Sequence, residues 1–311
     1  MNKTPLESFM DVYAKPQTLA PVTRRRRLNL HVLGGGSPTV VLAAGYLGLT
    51  IDWALVQPYA ARHARTVSFD NAGLGFSDPA RGPRTSTAIV EDLRSALRGA
   101  GIKPPYVLVG HSAGGLRMRL FAARYPDEVA GMVMVDTVLA DWEQRLYGGV
   151  CPTLARDRDA YRRLLRMSLA GTLTPETPDY LEHIRLPRSE LSPAVNQAFH
   201  QMWTRPSYLR AAISESLHLN ASTQAEEAAD RRPLGEMPLI VLSAGQIAAN
   251  PMIETAGRAE GWFAMHDEIA ALSARGMRRI VDCGHNIPIE RPREVVGAIK
   301  DVLAMVREAG D

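Results

Sequence analysis

Cysteine is nearly missing from this chain: Cys151 and Cys283 are the only two among 311 residues. Two are too few for a disulfide framework, and they have no metal-ligand spacing, so no metal is expected. Long apolar runs are missing as well. None reaches the roughly 18–20 residues a membrane-spanning helix needs. The opening residues, Met1 to Ser8, lack the apolar core of a secretory signal. These absences together predict a cytoplasmic, reduced protein with no membrane span. Charge of one sign is scarce too, with 36 Lys and Arg against 33 Asp and Glu, a net +3. That balance argues against nucleic acid and against an acidic partner. The run Arg24 to Arg27 leads straight into the alternating Leu28-Asn29-Leu30-His31-Val32, so it reads as the flank of an exposed edge strand. A dinucleotide fingerprint is also absent. Gly73-x-Gly75 would need its third glycine at position 78, which is Asp78. A tight loop at the edge of a cleft fits that segment better, and no cofactor is expected.

What remains is an ordinary globular composition, 46% hydrophobic and 22% charged. The length allows one large core, or a core carrying an inserted subdomain. Residues 1–22, with mixed polarity and prolines, read as an irregular arm with one helical turn. Residues 26–33 alternate like a half-buried strand, and 39–43 read as a fully buried one. Further buried strands are expected at 65–69, 106–109, 131–136, 238–243 and 279–282. Helices are expected at 85–99, from the elbow to about Tyr125, at 261–274 and at 295–307. From about 138 to 235 strand signals vanish, and short helical stretches are punctuated by prolines. That region carries Trp142, Tyr147, Tyr161, Tyr180, Phe199, Trp203 and Tyr208. It is expected to be a helical subdomain with its own core, a cap over the active site with some of these aromatics and Met202 lining an acyl pocket, or both at once. Alternating strands and helices of this kind make an open, mostly parallel α/β sheet.

The chain is organised around Gly110-His111-Ser112-Ala113-Gly114, a G-x-S-x-G pattern that follows an apolar strand and opens a helix. In that setting the pattern describes a nucleophile elbow, with the serine hydroxyl exposed at the carboxyl end of a parallel sheet. A serine needs a base, and the base needs an orienting acid. His285 follows the final strand, on the same sheet edge as Ser112, and is the expected base. His111 is expected to pack away from the serine Oγ. His31, His63, His183, His200, His218 and His266 carry no motif and read as surface or satisfied core histidines. For the acid, the loop after the 239–243 strand offers no carboxylate before Glu254. Asp136 stands at the end of the earlier strand and preserves the order Ser, acid, His. Asp136 is favoured, with Glu254 or another carboxylate open as the alternative. Two backbone N–H groups should face the developing oxyanion, one from Ala113 and one from Tyr46 after Gly45. Cys283 reads as a packing residue.

These motifs resemble the α/β-hydrolase superfamily. The resemblance runs from Gly110-His111-Ser112-Ala113-Gly114-Gly115-Leu116 through Ala123 to Gly131 and Val135-Asp136. It includes the loop Asp70 to Asp78, Gly284-His285 and Glu290-Arg291-Pro292. It implies an α/β-hydrolase fold, with residues 1–137 and 236–311 as core and 138–235 as helical cap. It implies a serine hydrolase acting on a small-molecule ester, in a family where the usual acid position falls near Ala248. Some members place the acid at the end of the earlier strand, which supports Asp136. Ser112 stands where dehalogenases and epoxide hydrolases carry aspartate, which argues against both activities. A thioester, amide, lactone or carbon–carbon substrate is the alternative on the same triad. A non-catalytic ligand-binding protein is the alternative from another class. The sequence sets no oligomeric state.

Overall fold

The structure is a computed structural model describing residues 11–174, 176–178, 180, 192–221, 229, 231–250, 253 and 257–309. Eight strands form one sheet: β1 (Thr18–Thr23), β2 (Arg26–Leu33), β3 (Thr39–Ala43), β4 (Thr66–Phe69), β5 (Tyr106–His111), β6 (Val129–Val135), β7 (Leu239–Ala244) and β8 (Gly276–Val281). Their spatial order is β1-β2-β4-β3-β5-β6-β7-β8. β2 runs antiparallel to both its neighbours, and every other pairing is parallel. All residues of β3, β5 and β7 are buried. Successive side chains point to opposite faces, so helices must cover both sides, which is why these strands read as unbroken apolar runs.

The helices of the sheet layers are α1 (Ser86–Gly99), α2 (Ala113–Arg124), α7 (Arg258–Ala270) and α8 (Pro292–Glu308). Thr85 caps α1, its hydroxyl accepting the Ala88 N–H, which satisfies one of the first-turn donors. α8 packs on β5, β6 and β7, and α7 on β7 and β8. Between β6 and β7 come α3 (Trp142–Tyr147), α4 (Pro152–Ala170), α5 (Pro193–Trp203) and α6 (Pro206–Ala221). No strand occurs among the described residues of 136–234. α4, α5 and α6 share a second core, with Tyr161, Leu164, Tyr180, Trp203 and Tyr208 packed against Leu47, Leu49 and Leu74, whereas Trp142 and Leu146 of α3 join the main core. Among the described residues, no helix is long and apolar enough to cross a membrane.

Three expectations need correction. The arm expected over 1–22 contains β1, paired with β2 at the sheet edge. Pro21 disguised it, since proline breaks a ladder except on an edge strand, where β1 lies. β2 is not half-buried by alternation: Leu28, Asn29, Leu30 and His31 are buried in succession. The second face is covered because Asn29 bonds Asp70 and Gln17, while Tyr13 sits edge-on to His31 at 4.1 Å. Nor is β2 the exposed edge strand expected after Arg24 to Arg27, since it lies between β1 and β4; Arg26 pairs with Asp92 and Arg27 with Asp78.

Burial pushes the His31 imidazole down to about 4, and burial is also the main cause lowering His266. In the unfolded chain both titrate near 6.5. The unfolded state therefore binds more protons as pH falls below about 6.5, so stability declines from there toward pH 4. A lower urea midpoint at pH 5.0 than at pH 7.5 is the expected result. Equal midpoints would contradict it.

Candidate active site

Ser112 lies between the last residue of β5 and the first of α2, with φ 51° and ψ −126°. A left-handed φ is strained for any residue with a Cβ, typically by about 1–3 kcal/mol. The surroundings hold it there. The Ser112 N–H donates to the Val135 carbonyl at 3.0 Å, and the Thr137 hydroxyl donates to the Ser112 carbonyl at 2.7 Å. A Cβ at Gly110 would strike the Gly114–Gly115 backbone, and one at Gly114 would strike the Ala43 and Ala44 carbonyls. Only glycine permits so close an approach of strand, helix and loop. The Ser112 side chain does not cap its own helix. Ser112 is instead among the residues lining the cavity.

Asp136 follows β6 directly and is fully buried, also with a positive φ of 42°. Its N–H is fixed on the Leu242 carbonyl of β7 at 2.7 Å. The carboxylate is satisfied on both oxygens. Oδ2 accepts from His285 Nδ1 at 2.6 Å, while Oδ1 accepts from the Ala244 N–H at 2.8 Å and the Trp262 indole at 3.1 Å. Burial alone would raise this acid. The His285 hydrogen bond, the two nearby imidazoles and the Ala244 N–H outweigh it and hold the carboxyl below the usual carboxylate range. Asp136 is therefore an anion whose partners are already in place.

His285 sits in the loop after β8. Its ring packs edge-on against Trp262 at 5.7 Å, and its carbonyl accepts from His111 Nε2 at 2.9 Å. With Nδ1 on the carboxylate, Nε2 is the ring nitrogen left for another partner. His111, expected to pack away from the serine Oγ, bonds the His285 loop. Its ring lies 4.8 Å from that of His285 and lines the same cavity. Behind Asp136, His266 is fully buried, with Nε2 donating to the Thr137 carbonyl at 2.7 Å and Nδ1 accepting from Ser243 at 2.8 Å. Both ring nitrogens are used as in a neutral imidazole, consistent with its lowered pKa.

Ser112, Ala113, Tyr46 and His285 line one cavity of about 320 Å³. The loop carrying Tyr46 passes close to the serine, since a Cβ on Gly45 would stand 3.1 Å from Ser112 Cβ. Trp53, Trp142 and Trp262 supply aromatic wall, with Asp52, Asn250 and Asn286 among its polar groups. Of the aromatics flagged by sequence in the insertion, only Trp142 lines it. Tyr161, Tyr180, Met202, Trp203 and Tyr208 belong to the second core, and Tyr161, Phe199 and Trp203 also border a smaller recess sharing Tyr46, Gly48, Asp52 and Asp157 with the main cavity. Cys283 is buried and its thiol is pushed up to about 11 by that burial, as suits a packing residue. Glu254, the alternative acid, lies outside the described residues. Trp262, His266 and Ala244 had no sequence signal of their own.

A sequence profile described as the alpha/beta hydrolase fold matches residues 38–292. Among curated proteins, the chain is 27% identical over 274 residues to the uncharacterised protein YqjL of Bacillus subtilis, covering 88% of this chain and 86% of that one. Among solved structures it is similar to a thermophilic esterase from Thermogutta terrifontis, with TM-score 0.66, 22% identity, and 94% and 99% of the two chains covered. It is also similar to the enol-lactonase from Burkholderia xenovorans LB400, with TM-score 0.65, 22% identity, and 92% and 99% covered. At such identities the two structural likenesses speak to the fold.

Proposed function

The chain belongs to the α/β-hydrolase fold family, and from that premise we propose that it is a serine hydrolase that cleaves a carboxylic ester. One observation carries the reading: Asp136 grips His285 at 2.6 Å on the rim of the cavity that Ser112 lines. In the first half-reaction Ser112 Oγ bonds to the acyl carbon while its proton passes to His285 Nε2. The carbonyl oxygen becomes an oxyanion facing the N–H groups of Ala113 and Tyr46. Collapse breaks the bond to the alcohol oxygen, which takes the proton from His285. In the second half, water gives its proton to His285 and its oxygen bonds the acyl carbon. The bond to Ser112 then breaks, and the proton returns to Oγ, releasing the acid. Asp136 keeps the Nδ1–H tautomer throughout and balances the imidazolium charge. We assign residues 138–235 as a helical cap on a core of 1–137 and 236–311, since α4 contributes Thr153 and Leu154 to the cavity wall.

The test is p-nitrophenol release from p-nitrophenyl esters of increasing acyl length, beside the matching lactones, thioesters and amides. A cavity near the small end of ligand-site volumes should favour the shorter acyl groups of the series. Background release at every ester length, with turnover of another class in the panel, would replace the ester by that class.

A further inference from the structure

Leu47, next to the proposed oxyanion donor Tyr46, has φ 55°. A left-handed leucine persists only where its neighbours over-determine it. Its neighbours come from the insertion. Glu215 Oε1 accepts the Leu47 N–H at 3.2 Å, and the Tyr208 hydroxyl donates to the Leu47 carbonyl at 3.1 Å. Tyr208, Ala212 and Glu215 sit at i, i+4 and i+7 of α6, so one helix face meets the loop. The hydroxyl of Tyr46 reaches the Ala212 carbonyl at 3.5 Å. From the other side comes Arg117, five residues after Ser112 on α2. It pairs with Glu215, and its Nη1 reaches the Gly45 carbonyl at 3.4 Å. Both side chains of the pair are 2% exposed.

A buried ion pair seldom stabilises a fold more than a well-packed apolar pair would, because both ions lose their hydration. An apolar pair here would leave the Leu47 N–H without its acceptor and would take from the Gly45 carbonyl one of its two donors, the other being the Gly48 N–H at 3.1 Å. The pair is thus placed for what it holds. Resting on the serine-hydrolase reading above, we propose that Glu215 and Arg117 are positioning residues that set the Gly45–Leu47 loop for oxyanion binding. In this arrangement α6 is a fixed part of the catalytic scaffold, and a cap motion that lifted it away would dismantle the loop.

The experiment compares Glu215→Gln, Glu215→Ala and Arg117→Lys with wild type. It reads ester kinetics normalised to labelled active sites, and hydrogen exchange of the segment 44–49. Losing one oxyanion donor elsewhere costs about 100- to 1000-fold in kcat, so misplacing it in Glu215→Ala should cost at least about 10-fold, with KM within about 3-fold. Glu215→Gln keeps an oxygen for the Leu47 N–H and should recover most of that loss. Exchange over 44–49 should quicken in Glu215→Ala while β5 stays protected. Wild-type kcat per labelled site with unaltered exchange, whatever the melting temperature does, overturns the proposal. Should Glu215→Ala fail to fold, the Gln and Lys variants give the same two readouts. A wild type that hydrolyses no ester and takes no label would sink the serine-hydrolase reading instead. Loop exchange in the variants would then still decide whether Glu215 sets the loop.

Discussion

Replacing Ser112 by alanine should lower kcat for ester hydrolysis by about 10⁵- to 10⁶-fold, the loss seen when a nucleophile acting within a triad is removed. The expectation follows from what the side chain does and does not touch. Ser112 makes no capping bond to α2, so its hydroxyl is dispensable to the helix. The fold around it is held by main-chain bonds to Val135 and by Thr137. Alanine tolerates the 51° φ no worse than serine does, both having a Cβ. Folding should therefore be spared, with a melting temperature close to wild type, while turnover falls to whatever the oxyanion donors and binding alone supply. Measurable turnover within about 10-fold of wild type would contradict a covalent role for Ser112.

Asp136→Asn should cost about 10⁴-fold in kcat, by a route the hydrogen bonds dictate. Oδ1 accepts from two donors, the Ala244 N–H and the Trp262 indole. An asparagine can satisfy both only by placing its amide oxygen there, which turns its NH₂ toward His285 Nδ1. Nδ1 must then accept, and the ring proton moves to Nε2. The imidazole is held in place but in the tautomer that cannot take the serine proton. The reversed amide is excluded because its NH₂ would face two N–H groups. Asp136→Ala should instead lose stability as well as activity, by about 1–3 kcal/mol for each buried donor left bare. A near wild-type rate in Asp136→Asn, with the fold intact, would move the acid elsewhere, and Glu254 would be the first candidate to replace.

The three residues on which these predictions turn were legible because each is a strand-end residue. Ser112, Asp136 and His285 follow β5, β6 and β8, and parallel strands bring their carboxyl ends to one edge. Local pattern plus sheet direction suffices for them. The groups that hold them in place obey no such rule. Trp262 and His266 reach Asp136 from the buried side of α7, a contact between a helix face and a loop with no local signature. Arg117 of α2 and Glu215 of α6 meet as a buried pair, and nothing in either neighbourhood announces the partner. His111 shows a related limit. The turn rule concerns its relation to the nucleophile and is silent on the His285 loop, whose carbonyl takes its Nε2–H. β1 was hidden for a different reason, since Pro21 reads as a strand breaker unless the strand is known to lie at an edge. The aromatics of the insertion divide between cavity wall and second core according to helix packing, which composition does not encode.

The most direct measurement is the intact mass of the protein after exposure to a fluorophosphonate, with the modified peptide then mapped. A hydroxyl activated by His285 displaces fluoride and leaves one phosphonyl group on the peptide containing Ser112. The same treatment should leave Ser112→Ala and His285→Ala unmodified over the same interval. An unmodified wild type, or an adduct that maps away from Ser112, would contradict the assignment of this site.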